Sequence, residues 1–305
     1  MRPLLHCAVA ALTATSLAAQ PSITDTRLLS QPALSSTHVA FVYAGDLWTS
    51  RLDGSDVRRL TTADGDEQNP VFSPNGELIA FSANYDGNTD VYVIPSAGGT
   101  PKRLTYHPDA DIVQGFTPDG RHVLFTSGRS SHTNRYTQLF TVPIEGGPET
   151  KLPIPNAARA AYSPDGRHIA YNPISSAFDE WKHYRGGRTS TIWIYDVTTH
   201  AVEKIPQPDG RSNDVDPQWI GNTVYFRSDR DSEFDVYSYD TRERRVKRLT
   251  THADFPVLNL ASGSGGKMVY EQAGYLHLLD PATSGNGRKL AIGVATDLSK
   301  RGRAM

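Results

Sequence analysis

The sequence contains almost no cysteine, little methionine and no excess of charge of either sign. Cys7 is the only cysteine among 305 residues, so a chain without its first residues has no disulfide and is stabilised by its core alone. The formal net charge of −2 favours neither nucleic acid nor an anionic membrane surface as a partner. Methionine occurs three times, whereas there are 25 glycines, 20 prolines and 14 tyrosines, as expected of many short strands joined by tight turns.

Long apolar runs are also missing, apart from one at the N-terminus. Arg2 provides a positive start, residues 4–17 are apolar or small, and small residues around Ala18 and Ala19 offer cleavage positions. The run is too short to span a bilayer. Residues 1–19 are therefore predicted to be a signal peptide, which implies a periplasmic or secreted protein. The alternative is a buried N-terminal strand or helix.

Three short sequence motifs recur in fixed order along the chain. The first is a turn, Ser/Thr-Pro-Asp/Asn-Gly, at residues 73–76, 117–120 and 163–166. The second joins Asp to Leu or Val and an aromatic residue, at residues 46–48, 90–92 and 235–237. The third is Arg-Leu-Thr, at residues 59–61, 103–105 and 248–250. With looser copies they make six repeats with a period in the forties, which is typical of β-propeller blades.

The repeats predict an all-β fold, a six-bladed β-propeller of four-stranded antiparallel blades that occupies residues 20–292. Residues 293–305 are interpreted as a linker toward a following domain. The first blade has its own inner strand near residues 28–34, and the last has its own outer strand near residues 288–292. We therefore expect the ring to close without strand exchange, by packing of the first blade on the last, and to tolerate deletion of residues 20–27.

The repeat leaves two long insertions unexplained, at residues 127–137 and 172–190. In a propeller both share a face with the connections between blades, where ligands and partners usually bind. Arginines there could hold a peptide carboxylate in a bidentate contact. The alternative is that they form ordinary salt bridges within the loops. The candidate peptide-binding or channel-face residues are Arg129, Arg135, Trp181, Tyr184, Arg185 and Arg188.

Recognisable catalytic motifs are missing. No Gly-x-Ser-x-Gly nucleophile elbow occurs, the histidines are scattered over the repeats, and no pair has the spacing of zinc ligands. Residues 86–90 resemble a calcium loop, but Asp90 belongs to the repeat, and we interpret the segment as a turn. We therefore predict no catalytic residues, no metal site and no cofactor in this chain.

The sequence motifs of the repeats resemble those of the TolB and tricorn class of propellers, and the second insertion makes the resemblance specific. Residues 178–188 include Trp181-Lys182 and Tyr184-Arg185-Gly186-Gly187, which are similar to the Trp-Lys-x-Tyr-Arg-Gly-Gly segment of tricorn protease homologues. Residues 39–48 are similar to the first blade of that family. The resemblance runs over residues 31–298.

In that family a six-bladed propeller precedes a seven-bladed propeller, a PDZ-like domain and a serine peptidase core, and the protein assembles into rings. The resemblance implies a non-catalytic module, truncated before the catalytic domain of a serine endopeptidase, that gates or guides peptides and supports assembly as a homo-oligomer. It also implies a pair of arginines that hold the peptide C-terminus. Arg129 matches one of them, and Ser130 stands at the other. The alternative is a stand-alone periplasmic TolB-like propeller that binds a protein partner; a propeller enzyme with its own site ranks third.

Overall fold

A computed structural model describes residues 24–131, 133, 135–176, 183–283 and 285–295. They form six four-stranded sheets, and in each sheet the strands pair in chain order with antiparallel neighbours. Each sheet uses four consecutive strands, so within the described ranges no strand is exchanged between the first and last blades. The described residues contain no helix long and apolar enough to cross a membrane.

The four strand positions recur from blade to blade. The inner strands are β1 (Ser30–Leu34), β5 (Glu67–Phe72), β9 (Asp111–Phe116), β13 (Arg159–Tyr162), β17 (Asp214–Ile220) and β21 (Val257–Ser262). The second strands are β2 (His38–Tyr43), β6 (Leu78–Ala83), β10 (His122–Ser127), β14 (His168–Asn172), β18 (Thr223–Ser228) and β22 (Met268–Gln272). The third strands are β3 (Asp46–Arg51), β7 (Asp90–Pro95), β11 (Gln138–Pro143), β15 (Trp193–Asp196), β19 (Asp235–Asp240) and β23 (Tyr275–Leu279). The outer strands are β4 (Arg58–Arg59), β8 (Lys102–Arg103), β12 (Thr150–Lys151), β16 (Val202–Lys204), β20 (Arg245–Arg248) and β24 (Arg288–Lys289).

Consecutive inner strands contact one another, and β1 also contacts β21, which closes the circle around an axis. Because successive strands are antiparallel, the hairpins between first and second strands all lie on one face of the ring, here called the turn face. The loops between second and third strands and the connections between blades lie on the other, here called the insertion face.

The recurring turn has a direct structural role. The Gly76 amide donates to the Ser73 carbonyl at 2.8 Å, and Gly76 has a φ of +77°, a left-handed value that glycine adopts without strain. The Ser73 hydroxyl also accepts a hydrogen bond from the Leu78 amide at 3.0 Å, at the start of the second strand. The Ser/Thr and Gly positions are therefore required by the hairpin itself.

The other two motifs, Asp-Leu/Val-aromatic and Arg-Leu-Thr, connect the outer strand to the third strand. In the fifth blade the Arg248 guanidinium lies 2.5 Å from Asp235, the Thr250 hydroxyl donates to the same carboxylate at 2.7 Å, and the Val236 amide donates to Thr250 at 3.0 Å. The second blade repeats this with Asp90, and the side chains of both aspartates are buried. Burial raises the pKa of Asp90, although the Arg103 guanidinium opposes the shift.

Six hydrophobic clusters hold the blades together, one at each junction between neighbours. The cluster at the closing junction joins residues such as Phe41 and Trp48 of the first blade to Val269 and Leu276 of the last. The expectation that the ring closes by packing of the first blade on the last is confirmed.

Hydrogen bonds add to that closure. The N-terminal segment, residues 24–28, runs beside the last blade: the Thr26 amide donates to the Ile292 carbonyl at 2.8 Å, and the Leu28 amide donates to the Gly274 carbonyl at 2.9 Å. The Val294 amide in turn donates to the Thr26 hydroxyl at 2.8 Å. Part of the segment that the sequence marked as dispensable therefore bonds to the last blade across the closing junction.

Candidate functional site: the axial channel and the insertion face

The inner strands enclose a channel along the propeller axis. Its narrow section has a volume of about 100 Å³ and is lined by residues of all six inner strands. Toward the turn face it widens to a section of about 420 Å³, lined by the ends of inner strands and by turn residues such as Pro74, Pro118 and Pro164. Gln114 and Gln218 line both sections, so the two sections adjoin each other.

In five of the inner strands the pairing with the second strand shifts register where the strand lines the narrow section, which makes a bulge. In four of these five strands the bulge residue has a left-handed backbone. These residues are Gln31 (φ +48°), Asn69 (φ +52°), Asp216 (φ +54°) and Asn259 (φ +45°). A left-handed backbone is uncommon for residues other than glycine, and such strain concentrates at sites with a function. Bulges also redirect side chains. The channel therefore has a polar side chain at the same level in each of these blades.

Polar contacts join these bulges from blade to blade. The Asn69 amide donates to the Gln31 side-chain oxygen at 2.6 Å, which links the first two blades. Between the fourth and fifth blades, Arg159 Nε lies 3.4 Å from an oxygen of Asp216. Between the last two, the Gln218 side-chain oxygen accepts hydrogen bonds from the amide and hydroxyl of Ser262, both at 3.1 Å. The channel wall is thus held in a defined shape.

Asp216 is the carboxylate of this wall. Nε and Nη2 of Arg227 lie 2.7 and 2.6 Å from one oxygen of this carboxylate, Oδ2, and both side chains are largely buried. Burial raises the pKa of Asp216, but the Arg227 and Arg159 guanidinium groups outweigh it, so that the pKa lies below its usual value. Asp216 therefore remains an anion over the physiological pH range.

The insertion face is dominated by ion pairs within the protein. Arg129 has one-tenth of its side chain exposed, and its guanidinium lies 2.5 Å from Asp111 and 3.0 Å from Glu149. It also lies over the rings of Phe125 and Phe140, at 5.3 and 5.2 Å from their centroids. These contacts hold the first insertion against the start of β9. They favour a structural role for Arg129, and its predicted role in peptide binding stays a prediction.

The fifth blade repeats this arrangement. Arg230 contacts Asp214 at 3.0 Å and lies over the rings of Phe226 and Tyr237. Arg129 and Arg230 follow the same Phe-x-Ser-x-Arg spacing, and Asp111 and Asp214 each open an inner strand. Arg129 is therefore part of a repeated device, which favours the expected alternative of salt bridges within the loops.

The second insertion docks on the fifth blade. Arg185 Nη1 donates to the buried Asp229 carboxylate at 2.6 Å, and Arg185 Nη2 donates to the Asp229 carbonyl at 3.0 Å. Asn213 links the same groups, since its side-chain nitrogen donates to the Tyr184 carbonyl at 2.9 Å and to Asp229 at 3.0 Å. Tyr184 and Arg185 are brought together here, and both are half-buried.

The remaining predicted site residues are spread out. Arg188 and Arg135 are exposed on the insertion face, in different loops. Trp181 lies outside the described residues. The contacts described above do not connect Arg129 and Arg135 of the first insertion with Arg185 and Arg188 of the second. As peptide-binding residues, all six stay a prediction.

The sequence interpretation missed the residues of the channel wall. A signal for them was present, since Gln31, Asn69 and Asp216 each precede a proline near the start of an inner strand. Proline has no amide hydrogen for the ladder, and inside a sheet it is found at edges and bulges. Three such dipeptides at one repeat position would have indicated a ring of bulges.

Metal binding finds no support in the arrangement of ligands. Among the residues that the structure describes, no three His, Cys, Asp or Glu side chains converge as a metal site would require. Asp86 of the calcium-like segment lies 2.9 Å from the guanidinium of Arg103.

A family model for the tricorn protease N-terminal beta propeller domain matches residues 26–285. The curated Tricorn protease homolog 1 of Streptomyces coelicolor is 31% identical over 257 residues, which are 83% of this chain and 24% of that protein. The crystal structure of the tricorn protease aligns with a TM-score of 0.78 at 25% identity, over 90% of this chain and 27% of that one. TolB from Acinetobacter baumannii, with a TM-score of 0.54 at 21% identity, covers 72% of this chain and 53% of its own and shares the fold. The chain thus spans about a quarter of the length of the tricorn relatives.

Proposed function

Because this chain belongs to the tricorn protease N-terminal β-propeller family, we propose that it is a non-catalytic module of a tricorn-like serine protease. In this proposal the axial channel gates or guides peptides to or from a catalytic domain elsewhere in the protein. The observation that carries the proposal is the channel, which is lined by all six inner strands and has polar side chains at its narrow section.

The chemistry of the narrow section suits an extended peptide. A peptide backbone inside a protein needs hydrogen-bonding partners for its amide and carbonyl groups. The lining offers side-chain amides of Gln31, Asn69, Gln114 and Asn259, each of which carries donors and an acceptor. Such side chains recognise the backbone, which every peptide shares, and leave the sequence of the peptide open.

Assembly and location belong to the same proposal. We propose that the propeller contacts further propeller, PDZ-like and protease domains and that the whole protein is a homo-oligomer; the support is the membership in the family and the greater length of its relatives. We also propose a periplasmic or secreted location, supported by the leader-like residues 1–19, which lie outside the described residues. Cell fractionation and sequencing of the mature N-terminus test the location.

A filled channel tests the passage. Gln114 lines both sections, and its side-chain nitrogen donates two long hydrogen bonds, each of 3.3 Å, to the Ile112 carbonyl and the Thr126 hydroxyl. Gln114→Trp would fill the channel, whereas the matched control Gln114→Ala loses the same hydrogen bonds and leaves the channel open. Binding of a labelled, unstructured peptide, followed by fluorescence anisotropy, should weaken about tenfold or more in the tryptophan variant, equivalent to about 1.4 kcal/mol. The alanine variant loses one of the side-chain amides of the lining but leaves the channel open, so it should bind only about two- to threefold more weakly than the wild type.

Equal binding by both variants would overturn the proposal. If, in addition, a folded protein partner binds equally well to all three forms, the stand-alone TolB-like alternative is favoured, because docking on a face does not need an open channel.

A further inference from the structure

The channel contains one prominent exposed charge. Arg159 and Asp216 are the charged residues in the lining of the narrow section, within the part of the chain that the structure describes. The side chain of Arg159 is 42% exposed, and that of Asp216 is 12% exposed. A peptide in the channel would therefore contact the guanidinium of Arg159 more than the carboxylate of Asp216.

Asp216 does not engage the guanidinium of Arg159 closely. One oxygen of the carboxylate, Oδ2, has its partner in Arg227, behind the wall, whereas the other oxygen, Oδ1, lies 3.4 Å from Nε of Arg159. The guanidinium of Arg159 makes no hydrogen bond with any described residue. Its donors are available to a ligand in the channel.

The surroundings strengthen this charge. The wide section toward the turn face has no charged residue in its described lining. Glu271 lies on the second strand of the last blade, outside both linings, and accepts a hydrogen bond from Asn259 at 2.9 Å. Arg159 is the more exposed of the two charges in a passage whose other lining side chains are neutral, and pores use charged side chains in this way to select ions.

We propose that Arg159 makes the channel a charge filter, which favours peptides with acidic side chains and disfavours those with lysine or arginine. The inference rests on the proposed passage of peptides and adds a rule for which peptides are admitted. It concerns side chains, so it is independent of how peptide termini are held.

Three peptides that differ at one central position test the filter on the full chain. All are blocked at both ends, carry an uncharged dye and have Glu, Gln or Lys in the centre. In low salt we expect the Glu peptide to bind about five- to tenfold more tightly than the Lys peptide, the ratio expected of one partly exposed charge. The ratio should shrink in 0.5 M salt, by about the effect of screening.

Substitutions assign the effect to one residue. Arg159→Gln should bring the ratio close to one, and Arg159→Glu should reverse it. The control Arg167→Gln removes the same charge from an exposed turn of the same blade, outside the channel lining, and should keep the wild-type ratio. Thermal unfolding of each variant shows whether it is folded, and Arg159→Gln keeps the comparison available if the glutamate variant is unstable.

The outcomes separate the two proposals. If the neutral peptide binds and Gln114→Trp blocks it, but charge has no effect, the filter is wrong and the passage stands. If no peptide of any charge binds in a way that Gln114→Trp blocks, both are wrong. A charge preference that survives Arg159→Gln would also overturn the assignment to this residue.

Discussion

Replacing Arg129 with alanine separates a structural role from a role in peptide binding. The substitution removes the guanidinium that faces Asp111, whose side chain is fully buried. Oδ2 of Asp111 accepts a hydrogen bond from Arg129, and Oδ1 has no hydrogen-bond partner among the described residues. The variant therefore leaves a buried carboxylate without a side-chain donor. The two ring contacts with Phe125 and Phe140 are lost as well.

Removing one member of a buried ion pair costs about 3–5 kcal/mol, because the remaining charge stays out of water. Domains are stable by about 5–15 kcal/mol, so the Arg129→Ala variant should fold but be much less stable. Urea unfolding, followed by tryptophan fluorescence, should show a midpoint lower by about 1 M or more, given slopes of about 3 kcal/mol/M for a chain of this size.

Two further variants make the test specific. Arg135→Ala in the same insertion removes an exposed arginine and should change stability by less than about 0.5 kcal/mol. Adding Asp111→Asn to Arg129→Ala removes the isolated charge and should restore about 2 kcal/mol, which a double-mutant cycle measures. The reasoning is refuted if Arg129→Ala is within about 1 kcal/mol of wild type. Loss of peptide binding by such a stable variant would instead support the role implied by the family resemblance.

Two other predictions concern the closing junction and the last blade. Thr26→Val keeps the shape of the side chain but leaves the Val294 amide without its acceptor, so urea unfolding should show a free energy of unfolding lower by about 1–3 kcal/mol. The control Asp25→Asn, at the exposed ion pair with Lys289, should lower it by less than about 1 kcal/mol. Equal effects of the two substitutions would contradict this role of Thr26. Burial lowers the pKa values of His252 and His277 below 6.5, so the unfolded chain takes up protons first as the pH falls. The free energy of unfolding should therefore fall by up to about 1.4 kcal/mol per histidine for each pH unit below the unfolded value, and the melting temperature should fall with it as the pH drops from about 7.5 to 5.5. His277→Asn should flatten that fall, and an unchanged slope would show that His277 does not titrate in this window.

Much of the fold could be predicted because each recurring motif meets a local structural requirement. Gly76 is needed by the left-handed turn, and Asp235, Arg248 and Thr250 are needed by the contact between third and outer strands. Such short-range requirements repeat with the blade and are visible as a period. The closure of the ring could be predicted for the same reason, since each blade contains its own four strands.

The candidate site could be predicted only in part, because its residues meet across blades. Arg129 and Arg185 stood out as unexplained arginines, but their partners, Asp111 and Asp229, are distant in the sequence or belong to another blade. The pairing of Arg159 with Asp216 could not be predicted from the sequence, because 57 positions separate them and the two residues meet where the blades close around the axis.

The sequence by itself determined the number of blades, the strands within each blade and the turns that join them, because those depend on neighbours along the chain. The tertiary structure decided which charged side chains form ion pairs within the protein and which are exposed to a ligand. Asp216 lies in a bulge and pairs with Arg227, which is outside the channel lining, whereas Arg159 is exposed in the channel. The order of residues along the chain does not express which surface a side chain reaches after six blades have closed on one another.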